Sequence, residues 1–187
     1  MSKPEPAMSS AGTAPFEADH VALRRGEVTV PLPEAPDAGI YFIGRIRTPW
    51  RSLKECPRRG DMENGPICRI EIDAHWHHAL TGMEERSHLQ VLYWMHRARR
   101  DLVLQSPRSD GQTIGTFVIR SPLRPNPIAS STVRLEGIEG STLLVRGLDC
   151  LDGTPVVDVK PEVCPRQTAA ERPVGADRDG VKLPSDG

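Results

Sequence analysis

Two arginines and an asparagine lie in a proline-rich segment between two apolar stretches. The segment is GTFVIRSPLRPNPIASSTVRL, and its polar side chains include Arg120, Arg124 and Asn126. Proline fixes its own φ and restricts the residue before it, so Arg124 and Asn126, each followed by proline, are held extended. Guanidinium groups bind carboxylates or phosphates through paired donors, and an amide both donates and accepts. The pattern predicts a preorganised ligand-binding loop, and a solvated proline-rich corner is the alternative.

A second group of polar residues lies in the stretch GLDCLDGTPVVDVKP. Asp149 and Asp152 stand on either side of a turn that the sequence Asp152-Gly153-Thr154-Pro155 closes. Asp-Gly is a strong turn signal, so a turn with no other role explains the pattern. A functional role requires that Asp152 and the backbone of Gly153 and Thr154 face a pocket.

A third group is the basic stretch ECPRRG, which follows the first predicted strand. Pro57, Arg58 and Arg59 lie here, with Lys54 close by in the sequence. A solvated basic loop is one interpretation. The other is a local anion site, which would form if this loop shared a pocket with Arg120 and the proline-rich segment.

The histidines suggest a metal site at first sight, but their spacing argues against one. The globular part contains His75, His77, His78, His88 and His96. His77 and His78 are adjacent and would face different directions on a helix, and no pair has the i, i+4 spacing of helical metal ligands. We therefore expect no metal. His96, at the end of a predicted strand, is the best histidine candidate for a pocket.

These groups are positioned by a chain in which strand signals dominate. Short alternating or apolar stretches separated by turn residues predict strands. The predicted strands are IYFIGRIRT from Ile40, ICRIEID, HLQVLYWMH from His88 to His96 as the central strand, GTFVIRS, SSTVRLEGIEG, STLLVRGLDCL and TPVVDVKP. Gly137 and Gly140 frame a predicted hairpin connection.

One stretch, Asp73 to Ser87, has the spacing of a helix, because Trp76, Leu80 and Met83 fall at i, i+4 and i+7. Many short strands joined by turns are typical of a small antiparallel sheet that closes on itself. The sequence therefore predicts a mainly β protein, a small closed antiparallel β-barrel with one or two short helices.

Composition divides the chain of 187 residues into a globular part and two polar ends. Residues 1–37 predict a flexible N-terminal arm, residues 38–166 the β-barrel domain, and residues 167–187 a polar C-terminal tail. A formal net charge of −1 provides no overall basic field, so contact with nucleic acid would need a local basic patch.

The four cysteines form no C-x-x-C motif, which argues against a zinc ribbon and favours reduced thiols in a cytoplasmic protein. We find no signal peptide and no apolar run of the ~18 residues that a membrane span needs, so we expect no membrane partner. The sequence lacks G-x-G-x-x-G, a P-loop and H-E-x-x-H, so nothing favours a dinucleotide-binding or zinc-protease site.

Taken together, the strings IGRIRTP, PRR, GMEERSHL, GTFVIRSPLRPNPI and GLDCLDGTPVVDVKP resemble the successive signatures of the TsaA-like family, also called TrmO or YaeB-like. The resemblance extends from about Ile43 to Pro165. It implies a β-barrel methyltransferase that uses S-adenosylmethionine, is typically a homodimer, and methylates N6 of threonylcarbamoyladenosine beside the anticodon of tRNA.

The resemblance also implies the residues of the site. The predicted cofactor-binding residues are Pro57, Arg58, Arg59, His96, Arg97, Arg120, Ser130, Asp152, Gly153, Thr154 and Pro155. Arg124, Asn126 and Lys160 are predicted to contact the substrate. The acceptor nitrogen is amide-like and is helped by proton removal, and Asp152 and His96 are the hypothesised bases.

The chain departs from the family pattern at several of these positions. Arg59 and Arg97 stand where the family has glutamine, and Glu162 stands where it has tyrosine. The added cations either compensate for other tRNA contacts or indicate a different anionic substrate. A methyltransferase with a small-molecule acceptor and a non-catalytic sensor that binds S-adenosylmethionine are therefore kept as alternatives.

Overall fold

The computed structural model describes residues 22–162, and six strands of this range form a closed antiparallel β-barrel. The strands of this range are β1 (Val28–Thr29), β2 (Gly44–Arg47), β3 (Cys68–Ile72), β4 (His88–Trp94), β5 (Leu102–Gln105), β6 (Ile114–Gly115), β7 (Ile128–Glu139), β8 (Thr142–Arg146) and β9 (Pro155–Pro161). The barrel order is β2-β3-β8-β7-β4-β9, and β9 closes it by pairing with both β4 and β2. The predicted fold class is confirmed.

Alternating side chains fill the barrel, as the sequence pattern of its strands predicts. In β4, Leu89, Val91 and Tyr93 are buried, while the residues between them are partly exposed. The same alternation places Cys68, Ile70 and Ile72 of β3 and two residues of β8 in the core. Because β4 pairs with β7 on one side and β9 on the other, its prediction as a central strand is confirmed.

The predicted hairpin joins β7 to β8, where Glu139 pairs with Thr142. Gly140, with φ of +60°, provides the turn. Gly137 lies inside β7 instead, at an irregularity in the pairing with β8.

The predicted helical stretch forms two 3₁₀ helices, Ala74–Leu80 and Met83–Glu85. They are separated by Thr81, which caps the first helix, and by Gly82, whose φ of +81° directly precedes the second. Trp76, Leu80 and Met83 are partly buried and pack against the barrel core, as their spacing predicts.

The prediction of a strand over Gly115 to Ser121 is wrong beyond its first residue. The chain pairs with β5 only through Ile114–Gly115 and then turns into a 3₁₀ helix, Thr116–Val118. The Thr116 hydroxyl causes the turn, because it donates to the Leu102 carbonyl at 2.9 Å and accepts from the Gln105 amide at 2.9 Å. Phe117 and Val118 are left 82% and 77% exposed.

A small three-stranded sheet of order β1-β5-β6 lies beside the barrel and was not foreseen in the sequence. Its strand β1 comes from the predicted N-terminal arm, of which residues 22–37 fall within the described range. The predicted first barrel strand also begins later than Ile40, at Gly44. The rest of the arm and the predicted tail, 167–187, lie outside the described residues. No helix within 22–162 has the length and apolar character needed to cross a membrane.

Candidate functional site

A cleft opens at one end of the barrel, where four stretches distant in sequence meet. It is lined by Leu53, Met95, His96, Arg97, Ala98, Pro122, Leu123, Leu151 and Thr154. The walls are mainly apolar, with an imidazole, a guanidinium and a hydroxyl among them. Small-molecule sites typically have this mixture of apolar surface with a few polar groups.

Three of the predicted cofactor residues line the cleft directly: His96, Arg97 and Thr154. His96 and Arg97 follow the end of β4, where the chain leaves the barrel wall. Thr154 is 2% exposed, and its hydroxyl donates to the Leu151 carbonyl at 2.7 Å. The strand end and the Asp-Gly-Thr-Pro turn, predicted as separate groups, therefore meet in one pocket.

The Asp-Gly-Thr-Pro turn is fastened to the chain around the end of β2. The Asp152 N–H donates to the Trp50 carbonyl and the Gly153 N–H to the Ile46 carbonyl, each at 2.8 Å. Asp152 Oδ1 accepts the Thr48 N–H at 3.2 Å. Gly153 has φ of +79°, a conformation that glycine adopts without strain. The turn is thus a rigid part of the pocket, and one oxygen of the Asp152 carboxylate already has a backbone donor.

The proline-rich segment is held in place by side chains that satisfy its carbonyl groups. Gln105 donates to the Leu123 carbonyl and Arg100 to the Pro125 carbonyl, each at 2.6 Å. The Arg100 guanidinium also lies over the Trp94 ring, 5.4 Å from its centroid. These contacts fix Pro122 and Leu123 as one wall of the cleft.

Arg124 and Arg120 differ in what they contact. The partly buried Arg124 donates to the carbonyls of Ser121, at 2.7 Å, and of Ile119 and Thr116. Its guanidinium therefore holds the loop together, a role that the sequence did not indicate. Arg120 is exposed and donates no hydrogen bond to a residue of the range 22–162, so its donors are available to a ligand.

The remaining predicted residues lie around or away from the cleft, and their ligand contacts stay predictions. Arg58 and Arg59 are exposed on their loop, Ser130 lies in β7 opposite Leu92, and Asn126 is exposed beside the proline-rich wall. Pro155 begins β9 next to Thr154. Lys160 is near the far end of β9, where it contacts the Asp158 carboxylate, so the structure does not place it at the cleft.

A partly buried polar cluster, close in sequence to residues of the cleft, went unnoticed in the sequence, apart from its aspartate. The Tyr93 hydroxyl donates to Asp149 Oδ1 at 2.7 Å, and the Ser131 hydroxyl donates to the same oxygen at 3.0 Å. Burial, followed by the negative charge of Asp149, raises the pKa of Tyr93 far above its usual range. Tyr93 is therefore a neutral donor. An inward-facing tyrosine in the alternating pattern of β4 was the signal that could have revealed it.

No group of three or more histidine, cysteine, aspartate or glutamate side chains within 22–162 is arranged to hold a metal ion. Two of the histidines bond to serine hydroxyls, His77 to Ser141 at 2.8 Å and His88 to Ser87 at 3.1 Å.

A match to a known protein family explains why these segments occur together in one barrel. The sequence model of the tRNA-methyltransferase O N-terminal domain matches residues 45–166, a range that contains every residue lining the cleft. The chain belongs to the tRNA-methyltransferase O family. The resemblance found in the motifs is thereby confirmed.

Individual members of the tRNA-methyltransferase O family show different degrees of overlap with this chain. A probable S-adenosyl-L-methionine-binding protein, VirR of Rhizobium radiobacter, is 45% identical over 179 residues, which are 96% of this chain and 97% of that protein. The tRNA (adenine(37)-N6)-methyltransferase of Mus musculus is 40% identical over 89 residues, 46% of this chain and 21% of the mouse protein.

Solved structures agree with the family assignment. The crystal structure of TrmO from Pseudomonas aeruginosa matches with a TM-score of 0.58 and 34% identity, over 75% of this chain. The match covers 62% of the crystallised chain, so this protein corresponds to about three fifths of that relative's length.

Proposed function

We propose that this protein transfers the methyl group of S-adenosylmethionine to N6 of threonylcarbamoyladenosine beside the anticodon of tRNA. The observation that supports this most directly is the family match over 45–166, which includes all segments of the cleft. A relative named as a tRNA (adenine(37)-N6)-methyltransferase and one named as a probable S-adenosyl-L-methionine-binding protein support the reaction and the cofactor.

The residues of the cleft fit S-adenosylmethionine by their chemistry. Its adenine and methylene groups need apolar walls, which Met95, Leu123 and Leu151 provide. Its carboxylate needs a cationic partner, and Arg97 in the cleft or the exposed Arg120 supplies paired N–H donors. When bound, S-adenosylmethionine supplies an activated methyl group on a sulfonium.

The protein contributes alignment and proton removal. The methyl carbon moves from sulfur to N6 in an in-line displacement, so holding both partners in line supplies much of the rate. N6 loses its proton in the process, and a base at the cleft promotes this loss. The candidate bases are His96, which lines the cleft, and Asp152, which lies in the turn that meets the cleft at Thr154.

The proposal extends to a cytoplasmic homodimer. Phe117 and Val118, a few residues before Pro122 and Leu123 in the sequence, are exposed apolar side chains and are candidates for the subunit contact. Multi-angle light scattering tests the dimer, and a mass equal to one chain at micromolar concentration would contradict this part of the proposal.

Nucleoside mass spectrometry tests the reaction. The protein is incubated with S-adenosylmethionine and tRNA that bears unmethylated threonylcarbamoyladenosine, and we expect one added methyl group on that nucleoside. Arg120→Ala should abolish the product, and Arg108→Ala, at an exposed turn outside the cleft, should leave it unchanged. His96→Asn and Asp152→Asn then separate the two candidate bases.

The same experiment discriminates the alternatives. If the protein binds S-adenosylmethionine but no tRNA nucleoside gains a methyl group, the tRNA reaction is wrong. A methylated small molecule in extracts would then support the second alternative, and cofactor binding without turnover would support the sensor. If the protein binds no S-adenosylmethionine, the methyltransferase proposal fails altogether.

A further inference from the structure

The partly buried cluster has a hydrogen-bond pattern centred on a single residue, Asp149. Its Oδ1 accepts from Tyr93 at 2.7 Å and from Ser131 at 3.0 Å, and the two hydroxyl oxygens are 2.8 Å apart. Its backbone carbonyl accepts the Cys56 thiol at 3.1 Å. We call Tyr93, Ser131, Asp149 and Cys56 the Asp149 cluster.

Each member of the Asp149 cluster lies next to a segment of the proposed cofactor pocket. Cys56 immediately precedes the Pro57-Arg58-Arg59 loop, and Ser131 immediately follows Ser130. Tyr93 is the last inward residue of β4 before Met95, His96 and Arg97. Asp149 is two residues before Leu151, which lines the cleft, and precedes the Asp-Gly-Thr-Pro turn.

The cluster therefore joins four stretches that the sequence keeps far apart. Strands β4 and β7 are neighbours in the barrel, but the loop of Cys56 and the chain that follows β8 reach them through side chains. The backbone around Asp149 is anchored in the core, because Leu148 and Cys150 on either side are buried. Donors to a carboxylate form stronger hydrogen bonds than donors to a neutral group.

The hydrogen bonds of the cluster to the Asp149 carboxylate all involve one of its two oxygens. Both hydroxyls donate to Oδ1, and within 22–162 no donor contacts Oδ2. Asp149 is partly exposed although its two neighbours are buried. Asp149 also lies two residues before Leu151, which lines the cleft.

We infer that Asp149 is the positioning residue of the cofactor pocket, which orients the four surrounding segments through the hydrogen bonds of the Asp149 cluster. This inference rests on the proposed function, because the pocket it organises is the proposed S-adenosylmethionine site. A site that must hold a ligand in line depends on the residues behind it, since small displacements of binding groups cost much of the affinity and rate.

The test is calorimetric titration of S-adenosylmethionine into the full chain, which yields both the dissociation constant and the number of sites per chain. We expect Asp149→Ala to raise the Kd by about tenfold or more, because the two hydroxyls lose their shared acceptor. Asp149→Asn keeps a carbonyl oxygen and should retain most of the affinity. Tyr93→Phe combined with Asp149→Ala should bind no more weakly than Asp149→Ala alone.

Ser131→Ala and Thr132→Ala form a matched pair on the same strand. Ser131 faces the cluster, whereas the hydroxyl of the exposed Thr132 donates to Glu162 at 3.1 Å. We expect Ser131→Ala to raise the Kd and Thr132→Ala to leave it unchanged. Because Ser131→Ala removes one small donor, this pair keeps the test decisive if Asp149→Ala does not fold.

The outcomes separate the inference from the proposed function. If the wild-type chain binds no S-adenosylmethionine, the proposed function fails and the inference falls with it. If the wild type binds S-adenosylmethionine but Asp149→Ala and Ser131→Ala bind it with the same Kd as the wild type, the inference alone is wrong. A lower number of sites at unchanged Kd would show a role in folding only, and would also overturn it.

Discussion

At the scale of single residues, one close approach between two glycines secures the basic loop of the site. A Cβ on Gly60 would lie 1.8 Å from the Gly147 carbonyl oxygen, a distance that no side chain tolerates. Gly60 ends the loop that contains Arg58 and Arg59, and Gly147 directly follows β8. The loop thus depends on a residue without a side chain at its attachment to the barrel.

We therefore predict that Gly60→Ala destabilises the fold. Either the loop or the end of β8 must move, which is expected to cost about 2–3 kcal/mol and to lower the melting temperature by about 5–10 °C. Gly137→Ala is the control, since its Cβ would have its nearest neighbour at 3.9 Å. Thermal unfolding followed by circular dichroism measures both, and equal melting temperatures for the two variants would contradict the prediction.

A second prediction at this scale concerns the Cys56 thiol. Burial, and then the negative charge of Asp149, raises the pKa of Cys56 above that of an ordinary cysteine. Less thiolate is present at a given pH, so iodoacetamide should alkylate Cys56 at pH 8 more slowly than it alkylates glutathione. Peptide mass spectrometry in a Cys164→Ser background measures the rate. Alkylation at or above the rate of glutathione would show that the thiol is not protected.

At the scale of elements, the proline-rich segment is shaped by its own arginine. Prolines restrict the backbone, but the carbonyls of Thr116, Ile119 and Ser121 all point to the Arg124 guanidinium. A planar group with five donors serves three carbonyls at once, which a lysine ammonium does not match in geometry. The 3₁₀ helix Thr116–Val118 and the wall of the cleft are in this way built as one unit.

Arg124→Lys should consequently loosen this segment. We expect amide hydrogen exchange between residues 116 and 124 to become about tenfold faster, because local opening loses several carbonyl contacts. Arg108→Lys, at an exposed turn, serves as the matched control and should leave exchange in 116–124 unchanged. If Arg124→Lys exchanges like the wild type, the guanidinium does not hold the segment.

At the scale of the whole molecule, several carboxylates prefer the charged form in the folded state. Hydrogen bonds from Arg134 lower the pKa of Glu136, with Arg146 adding to the effect, and Arg99 lowers the pKa of Asp101. Backbone N–H donors do the same for Asp61 and Glu55. A lowered folded-state pKa gives stability that is present above the unfolded pKa and is lost as the pH falls through the folded value.

The lowered pKa values of these carboxylates determine how the melting temperature should depend on pH. The melting temperature should be nearly constant between about pH 6 and 8 and should fall below about pH 4, where unfolded carboxylates take up protons. Glu136→Gln should lower the melting temperature at pH 7 and match the wild type near pH 2–3, because both side chains are then neutral. Differential scanning fluorimetry across this pH range tests the prediction. If the melting temperature of Glu136→Gln stays below that of the wild type in acid, the charge of Glu136 does not explain the loss of stability.

The sequence predicted those parts of the fold and site that depend on local pattern. The apolar run from His88 to His96 predicted a central strand, and the structure confirms a strand over His88–Trp94 that pairs on both sides. The same reasoning failed for Phe117 and Val118, because an apolar run cannot show that the Thr116 hydroxyl will turn the chain out of the sheet.

In the site as well, local sequence patterns predicted some residues and missed the contacts of others. Thr154 and His96 were named from motifs, and both line the cleft. Arg124 was assigned to the substrate because its residue type binds anions, yet its donors face carbonyls of its own loop. The inward-facing Tyr93 signalled a polar contact inside the barrel, but its partners Ser131 and Asp149 could not be foreseen, since the three residues lie on different strands and connections.

Periodicity and motif strings were enough to indicate a mainly β barrel and membership of the tRNA-methyltransferase O family. The closing of β9 against β2 and β4, and the meeting of Leu53, His96, Leu123 and Thr154 around one cleft, appear only in three dimensions. Strand pairing between distant segments depends on hydrogen bonds and packing across the barrel. Local residue spacing defines which face of each strand is buried, but leaves open which strand lies beside it.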